Sequence, residues 1–210
     1  MHVTIIAKAP VAGLVKTRLC PPCSGEQAAR VAVAALADTF GAVASVAAAT
    51  GARMVLLIDG APQTWMPTEF EIVHQRGDGL GARLCNGFAD LGPGVIIGME
   101  TPAVAGALVR GIDAVRRGRD VIGLATDGGY WMIGLSPASV RLGGAVFDGV
   151  PMSCSNTGLS QLRRLHALGR DVHMLPIARD LDTFDDLLAI ADSGGDGQLV
   201  SVARAVIDSL

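Results

Sequence analysis

Short apolar runs, each closed by a turn signal, alternate with longer stretches of helical periodicity from one end of the chain to the other. Val3 to Ala7, Met54 to Ile58, Val95 to Gly98 and Val121 to Ala125 read as strands, joined by Glu69 to Gln75, Tyr130 to Leu135 and Val172 to Leu175. Val95 to Gly98 is wholly apolar, as a strand covered on both faces should be. Between the strands, Ser24 with Gln27 three residues on forms a capping box that opens a helix to about Thr50. The Gly77–Gly81 turn opens another helix that ends near Leu91. Further helices are expected over about Ala103 to Arg117, Leu159 to Leu168 and Thr183 to Ala191. This order predicts an α/β domain: a largely parallel sheet with helices on both faces.

Asp192 to Gly197 (DSGGDG) is the one stretch of flexible punctuation. It divides a domain over residues 1–192 from a short linker and C-terminal helix over 193–210. Leu199, Val202, Ala203, Val206, Ile207 and Leu210 fall on one face of that helix. The face packs either on the body or on a partner subunit, which leaves a homodimer open.

Composition removes several classes of function. The 210 residues are 50% hydrophobic and carry a net charge of −3, so neither a disordered chain nor a general nucleic-acid-binding surface is expected. Repeats of solenoid period and heptads are absent. The opening MHVTIIAKAP has too short an apolar run for a secretion signal. Arg30, Asp38, Thr39 and Ser45 interrupt the Ala-rich stretch Ala28–Ala52, which therefore reads as a buried helix rather than a membrane insertion. A cytoplasmic location follows as an expectation. Cys20, Cys23, Cys85 and Cys154 read as reduced thiols: the Cys20-Pro21-Pro22-Cys23 spacing lacks the second ligand pair of a zinc site. His2, His74, His166 and His173 are scattered, without metal-ligand spacing.

In open α/β sheets ligands bind outside the carboxyl ends of the strands, so the residues just past each strand carry the chemistry. After the first strand comes Lys8-Ala9-Pro10-Val11-Ala12-Gly13-Leu14-Val15-Lys16-Thr17-Arg18, and residues 1–25 contain no acid at all. Pro10 and Gly13 shape a loop whose N–H groups could meet an anion. Arg18 offers a planar fork for phosphate, and Lys16 a mobile charge. An ordinary solvated basic loop would show the same pattern. Asp59, Glu100, Asp127, Asp180 and Asp182 stand at strand ends, where one or two carboxylates could hold Mg²⁺ or Mn²⁺ with phosphate and water filling the other positions. Asp182 or Thr183 serves equally well as a cap for the helix through Asp186. Pro102 restricts Thr101 and fixes the exit from the strand before it. Asp127-Gly128-Gly129-Tyr130-Trp131 offers a bulk-free turn that a substrate could approach, with aromatics to stack on it; a hairpin turn with core aromatics is the alternative.

A dinucleotide fingerprint competes with this scheme. Gly77-x-Gly79-x-x-Ala82 follows a strand and opens a helix, and Glu100 lies near the spacing of a ribose-binding acid. It is the weaker reading, because some 70 residues precede it and it leaves the basic loop and the DGGYW turn without roles.

Lys8-Ala9-Pro10…Gly13…Lys16-Thr17-Arg18-Leu19, Gln75…Gly77-Asp78-Gly79-Leu80-Gly81…Arg83-Leu84, Ile97-Gly98…Pro102, Asp127-Gly128-Gly129-Tyr130…Ile133-Gly134-Leu135 and Asp180-Leu181-Asp182-Thr183…Asp186-Leu187 occur in the order of a known family. The chain resembles a bacterial glycosyltransferase-A-type (nucleotide-diphospho-sugar transferase-like) family of poorly characterised proteins, related to the deazaflavin-cofactor guanylyltransferases. The resemblance covers about residues 3 to 190. It implies a three-layer αβα sandwich that binds a nucleotide diphosphate. Lys8, Ala9, Pro10, Gly13, Lys16, Arg18, Gly77, Asp78 and Gly81 would bind the nucleotide, Glu100 and Asp182 the Mg²⁺ or Mn²⁺, and Gly128, Gly129 and Tyr130 the acceptor. Two departures stand out. Gly98-Met99-Glu100-Thr101-Pro102 replaces the family's Gly-Ser-Asp-x-Pro, and Pro151-Met152-Ser153-Cys154-Ser155 stands where relatives carry Trp and small hydroxyl residues.

The expected activity is therefore a metal-dependent glycosyl transfer from a nucleoside-diphosphate sugar to a small-molecule acceptor. Lys16 and Arg18 would neutralise the leaving diphosphate, and Asp127 would orient or deprotonate the acceptor hydroxyl. A nucleotidyltransferase acting on a phosphorylated acceptor would use the same residues. A catalytically weakened nucleotide-binding module is the reading the two departures motivate.

Overall fold

Residues alternate sides along β1 (His2–Lys8): Val3 and Ile5 face one layer of helices, while His2 and Thr4 point to the other. The same alternation holds in β2 (Arg53–Asp59) and β4 (Gly94–Gly98), where Leu57 and Ile96 oppose Leu56, Ile58, Val95 and Ile97. The computed structural model describes residues 1–100 and 105–210; Thr101, Pro102 and the expected helix start near Ala103 lie outside the described residues.

The remaining strands are β3 (Glu71–His74), β5 (Asp120–Ala125), β6 (Tyr130–Leu135) and β7 (Val172–Ala178). They form one seven-stranded sheet in the order β3-β2-β1-β4-β6-β5-β7. Only β6 runs against its neighbours β4 and β5; every other pairing is parallel. The helices are α1 (Gly25–Thr50), α2 (Gly79–Leu91), α3 (Ala105–Arg116), a single turn α4 (Pro137–Val140), α5 (Thr157–Ala167), α6 (Phe184–Ala191) and α7 (Gln198–Ile207).

Leu36, Phe40 and Val43 of α1 join Leu108, Ile112 and Val115 of α3 on one face of the sheet. Leu84 and Phe88 of α2 and Leu165 of α5 cover the other. Each fully buried side chain of this kind contributes about 1.5–3 kcal/mol. The result is the expected three-layer αβα sandwich. By length and composition α1 could cross a membrane. In this fold both of its sides are covered, because Ala28, Val31 and Ala35 pack under Leu187 of α6 and Leu199, Ala203 and Val206 of α7. Its start is the capping box read from the sequence, with the Ser24 hydroxyl accepting from Gln27 N–H.

Asp38 explains where the tail helix goes. Its carboxylate accepts the N–H groups of Gln198 (3.0 Å) and Leu199 (2.9 Å), satisfying two of the orphan donors at the start of α7. The charge that interrupts the apolar run of α1 is thus the cap of a helix 160 residues away, and α7 packs on the body.

Two buried polar groups pin the sheet away from its carboxyl end. Asp120, fully buried at the start of β5, accepts from Ser136 N–H (2.8 Å), the Ser139 hydroxyl and Arg170 Nε (3.3 Å). His2, equally buried, lies between the Thr4 hydroxyl (2.7 Å) and the Gly92 carbonyl (3.1 Å).

Candidate active site

The carboxyl ends of the strands converge on one crevice. β1 and β2 end side by side, with Lys8 in register with Asp59. Chain order leaves β1 for β2 on one side, while β4 lies on the other, so β1 marks the switch point at which such sheets open a cleft. Met99-Glu100 leaves β4, Asp127 lies just beyond β5, and Asp180 just beyond β7. Together they border a cleft of about 930 Å³.

One wall is the loop after β1. Lys16 adopts a left-handed backbone (φ 50°) before the 3₁₀ turn Thr17–Leu19, and Ser153 on the opposite wall does the same (φ 58°). These are the positive-φ residues other than glycine among the described residues, and both line the cleft. Left-handed backbone at a residue with a long side chain persists only where its surroundings hold it. For Lys16 the hold is visible. Its ammonium donates to the Leu181 carbonyl and pairs with the Glu100 carboxylate. The Lys16 side chain is only 2% exposed, against 33% for Glu100. Arg18 pairs with Asp182, but its side chain is 69% exposed, so that contact is screened and weak. Lys16, expected from the sequence to be a mobile charge, is a fixed, buried one.

Asp180 and Asp182, both strand-end candidates for a cation, stand in different surroundings. Asp182 is engaged by Arg18, whereas Asp180 Oδ1 is buried with no hydrogen-bond partner among the described residues. Burial, then the negative charges of Glu100 and Asp127, push the Asp180 carboxyl up to about 7, against the opposing pull of Lys16 and with a further push from Asp182. Among the described residues no group of three or more His, Cys, Asp or Glu forms a ready metal cluster.

The β2 side carries a second polar array. Gln75 spends both amide hydrogens on the Ala7 (2.8 Å) and Leu57 (3.0 Å) carbonyls and accepts from Arg83 Nη1 (3.1 Å), which also binds Asp59 Oδ2 (2.7 Å). Arg83 is thereby aimed at the cleft by two partners on different elements.

The Asp127-Gly128-Gly129 turn joins β5 to the antiparallel β6, so the hairpin reading holds for its backbone. Asp127 Oδ1 accepts Gly129 N–H (2.8 Å). Gly128 (φ 90°) does not give room to a substrate: a Cβ there would lie 1.8 Å from the Ser155 carbonyl oxygen. Its own carbonyl accepts Gly158 N–H (2.8 Å), so the turn is pressed onto the start of α5. Tyr130 lines the cleft, with its hydroxyl turned to Met152 Sδ (3.9 Å) and its pKa raised by burial. Trp131 is instead a core residue, donating Nε1–H to the Pro176 carbonyl (3.1 Å).

The cleft therefore gathers Lys8, Lys16, Arg18, Asp59, Glu100, Asp127, Gly129, Tyr130, Asp180 and Asp182 from the sequence-derived set, and adds Gln75 and Arg83. The rest of that set is placed differently. Ala9 is buried, its N–H on the Asp59 carbonyl (2.8 Å); the Pro10 carbonyl accepts from Gln63 (3.4 Å). Gly13 abuts Gly25, Asp78 precedes α2, and Gly81 packs beneath Met152. Gly77 and Ala82 pack on one another in the turn after the edge strand β3. The glycine fingerprint thus follows the edge strand β3 rather than β1, the strand at the switch point where a dinucleotide fingerprint belongs, although its Gly79 lines the cleft.

Residues 26–154 match DUF2064, a bacterial family described as an uncharacterized protein conserved in bacteria. The chain belongs to that family. Membership agrees with the resemblance carried by the ordered motifs. No curated protein matches. Among solved structures, this DUF2064 chain resembles a protein from Desulfovibrio desulfuricans G20 provisionally named a nucleotide-diphospho-sugar transferase, with TM-score 0.85 and 21% identity over 100% of this chain and 98% of that one. Rv0371c from Mycobacterium tuberculosis H37Rv follows with TM-score 0.52 and 20% identity over 90% of this chain and 98% of that one. Its manganese complex gives TM-score 0.51, again at 20% identity, over 90% of this chain and 97% of that one. The fold is thus the nucleotide-diphospho-sugar transferase fold expected from the sequence.

Proposed function

We propose that the protein is a transferase acting on a nucleoside-diphosphate sugar with the help of a divalent cation. The observation that carries this reading is the buried Lys16 ammonium at the switch-point end of the sheet, beside carboxylates that include one whose buried oxygen has no partner among the described residues. A diphosphate needs fixed cationic donors, and a bridging cation needs one or two carboxylates.

The residues present fit such a cation: Asp180 Oδ1 is buried with no hydrogen-bond partner among the described residues, and Glu100 is the charged group that acts on Asp180 most strongly. Glu100 and Asp180 would hold the ion. When bound, Mg²⁺ or Mn²⁺ supplies Lewis-acid stabilisation of the leaving diphosphate. The manganese complex of Rv0371c supports this choice of ion, and the provisional name of the D. desulfuricans protein supports the substrate class.

The chain's own groups do the rest. Lys16 and Arg18 offset charge as it develops on the diphosphate, Lys16 from a buried position and Arg18 from the rim. Arg83, fixed by Asp59 and Gln75, offers a further donor on the β2 side. Asp127 commits Oδ1 to its own turn, which leaves Oδ2 to accept the proton of an acceptor hydroxyl. Tyr130, Ser153 and Ser155 border the acceptor end.

Lys16→Ala tests the reading. It should weaken Mn²⁺-dependent binding of the nucleotide by about tenfold or more, the cost of losing a charge-assisted contact, while the far-ultraviolet circular dichroism stays that of the wild type. Unchanged affinity in a folded variant would overturn it. With active enzyme, release of a nucleoside diphosphate marks glycosyl transfer, whereas release of pyrophosphate would replace it with nucleotidyl transfer.

A further inference from the structure

We propose, resting on the nucleotide-transferase reading above, that the cleft carries its own lock. The Lys16 ammonium that takes the diphosphate is held by the Glu100 carboxylate that takes the cation, so the two ligands enter only as a pair.

Lys16 has no free approach: its side chain is 2% exposed and its ammonium is already engaged by Glu100 and by the Leu181 carbonyl. A phosphate oxygen reaches it only by displacing Glu100. Glu100, at 33% exposure, has the freedom to leave. A displaced Glu100 carboxylate would stand unpaired in a pocket already shared with Asp180, Asp127 and Asp182. Like charges in a part-buried site cost free energy, and a divalent cation removes that cost.

The converse is equally constrained. A cation that draws Glu100 away strands the buried Lys16 ammonium, which a diphosphate then neutralises. Either ligand alone leaves one uncompensated charge; together they leave none. The Arg18–Asp182 pair copies the arrangement at the rim, but its exposure makes it a minor contributor. Binding coupled in this way is reciprocal, each ligand raising the affinity of the other by the same factor.

The test uses two isosteric variants and two simple probes, measured by calorimetry on the full chain: inorganic pyrophosphate in EDTA, and Mn²⁺ alone. Glu100→Gln unlocks Lys16 and should raise metal-free pyrophosphate affinity about tenfold, within the usual span of coupling between sites. Lys16→Met unlocks Glu100 and should raise Mn²⁺ affinity in the absence of pyrophosphate by a similar factor. Wild-type protein that binds pyrophosphate with Mn²⁺, combined with unchanged or weaker metal-free binding in folded Glu100→Gln, overturns the lock and leaves the transferase reading standing. Wild-type protein that binds pyrophosphate under neither condition overturns both.

Discussion

The Lys16 ammonium and the Glu100 carboxylate form an ion pair whose cationic half is buried and whose anionic half faces the cleft. The pair ties the loop after β1 to the end of β4, and the Leu181 carbonyl adds the segment after β7 at the same atom. Three chain segments remote in sequence are thus fastened where the account places the diphosphate.

Gly128 supports the opposite wall by close packing. Its φ of 90° and the 1.8 Å approach of the Ser155 carbonyl oxygen to a Cβ leave Gly128→Ala no local remedy. The substitution should lower stability in urea by about 2 kcal/mol or more, because turn and loop must both move. Gly129→Ala, whose Cβ would lie 3.1 Å from the adjustable Asp127 Oδ1, should cost clearly less. Equal losses would contradict the packing role.

Asp120 is structural and remote from the cleft. Asp120→Ala leaves Arg170, the Ser139 hydroxyl and Ser136 N–H without their shared acceptor and should cost about 3 kcal/mol in chemical denaturation. Nucleotide affinity of the folded fraction should be unchanged; a matching loss of affinity would place Asp120 in the functional network.

His2 sets an acid limit on the fold. Burial, with smaller Coulombic contributions from Arg53 and the amino terminus, lowers its pKa from 6.5 to about 4, against the raising effect of its Gly92 hydrogen bond. Below pH 6.5 the unfolded chain takes up a proton that the native state refuses, so stability falls with pH, and the loss is complete below about 4. Between pH 7 and 5 the wild type should lose about 2 kcal/mol through this group. His2→Gln should flatten that limb; an unchanged slope would show that His2 is not its source.

Much of this was legible in the sequence because the strongest signals are local. Apolar runs such as Val95–Gly98 and the Ser24–Gln27 capping box need no distant partner, and their elements match the expected ones within a few residues. β7 runs on to Ala178, past the expected end at Leu175, because an edge strand tolerates the proline at position 176. The single turn Pro137–Val140 is too short to show a period. Site chemistry was legible as residue types and positions after strands, but not as pairings. Arg18 meets Asp182 across 164 residues, and the turn at Gly128 shows its purpose only against Ser155. Asp180 differs from Asp182 in burial and in pairing, neither of which the sequence Asp180-Leu181-Asp182 expresses.

The central claim is most directly tested by calorimetric titration of the wild type with GTP, CTP, UTP, UDP-glucose, GDP-mannose and NAD, each with and without Mn²⁺. The account predicts Mn²⁺-dependent binding of one nucleotide or nucleotide sugar, lost in Lys16→Ala. Binding of NAD alone, or of none of the six, would contradict it.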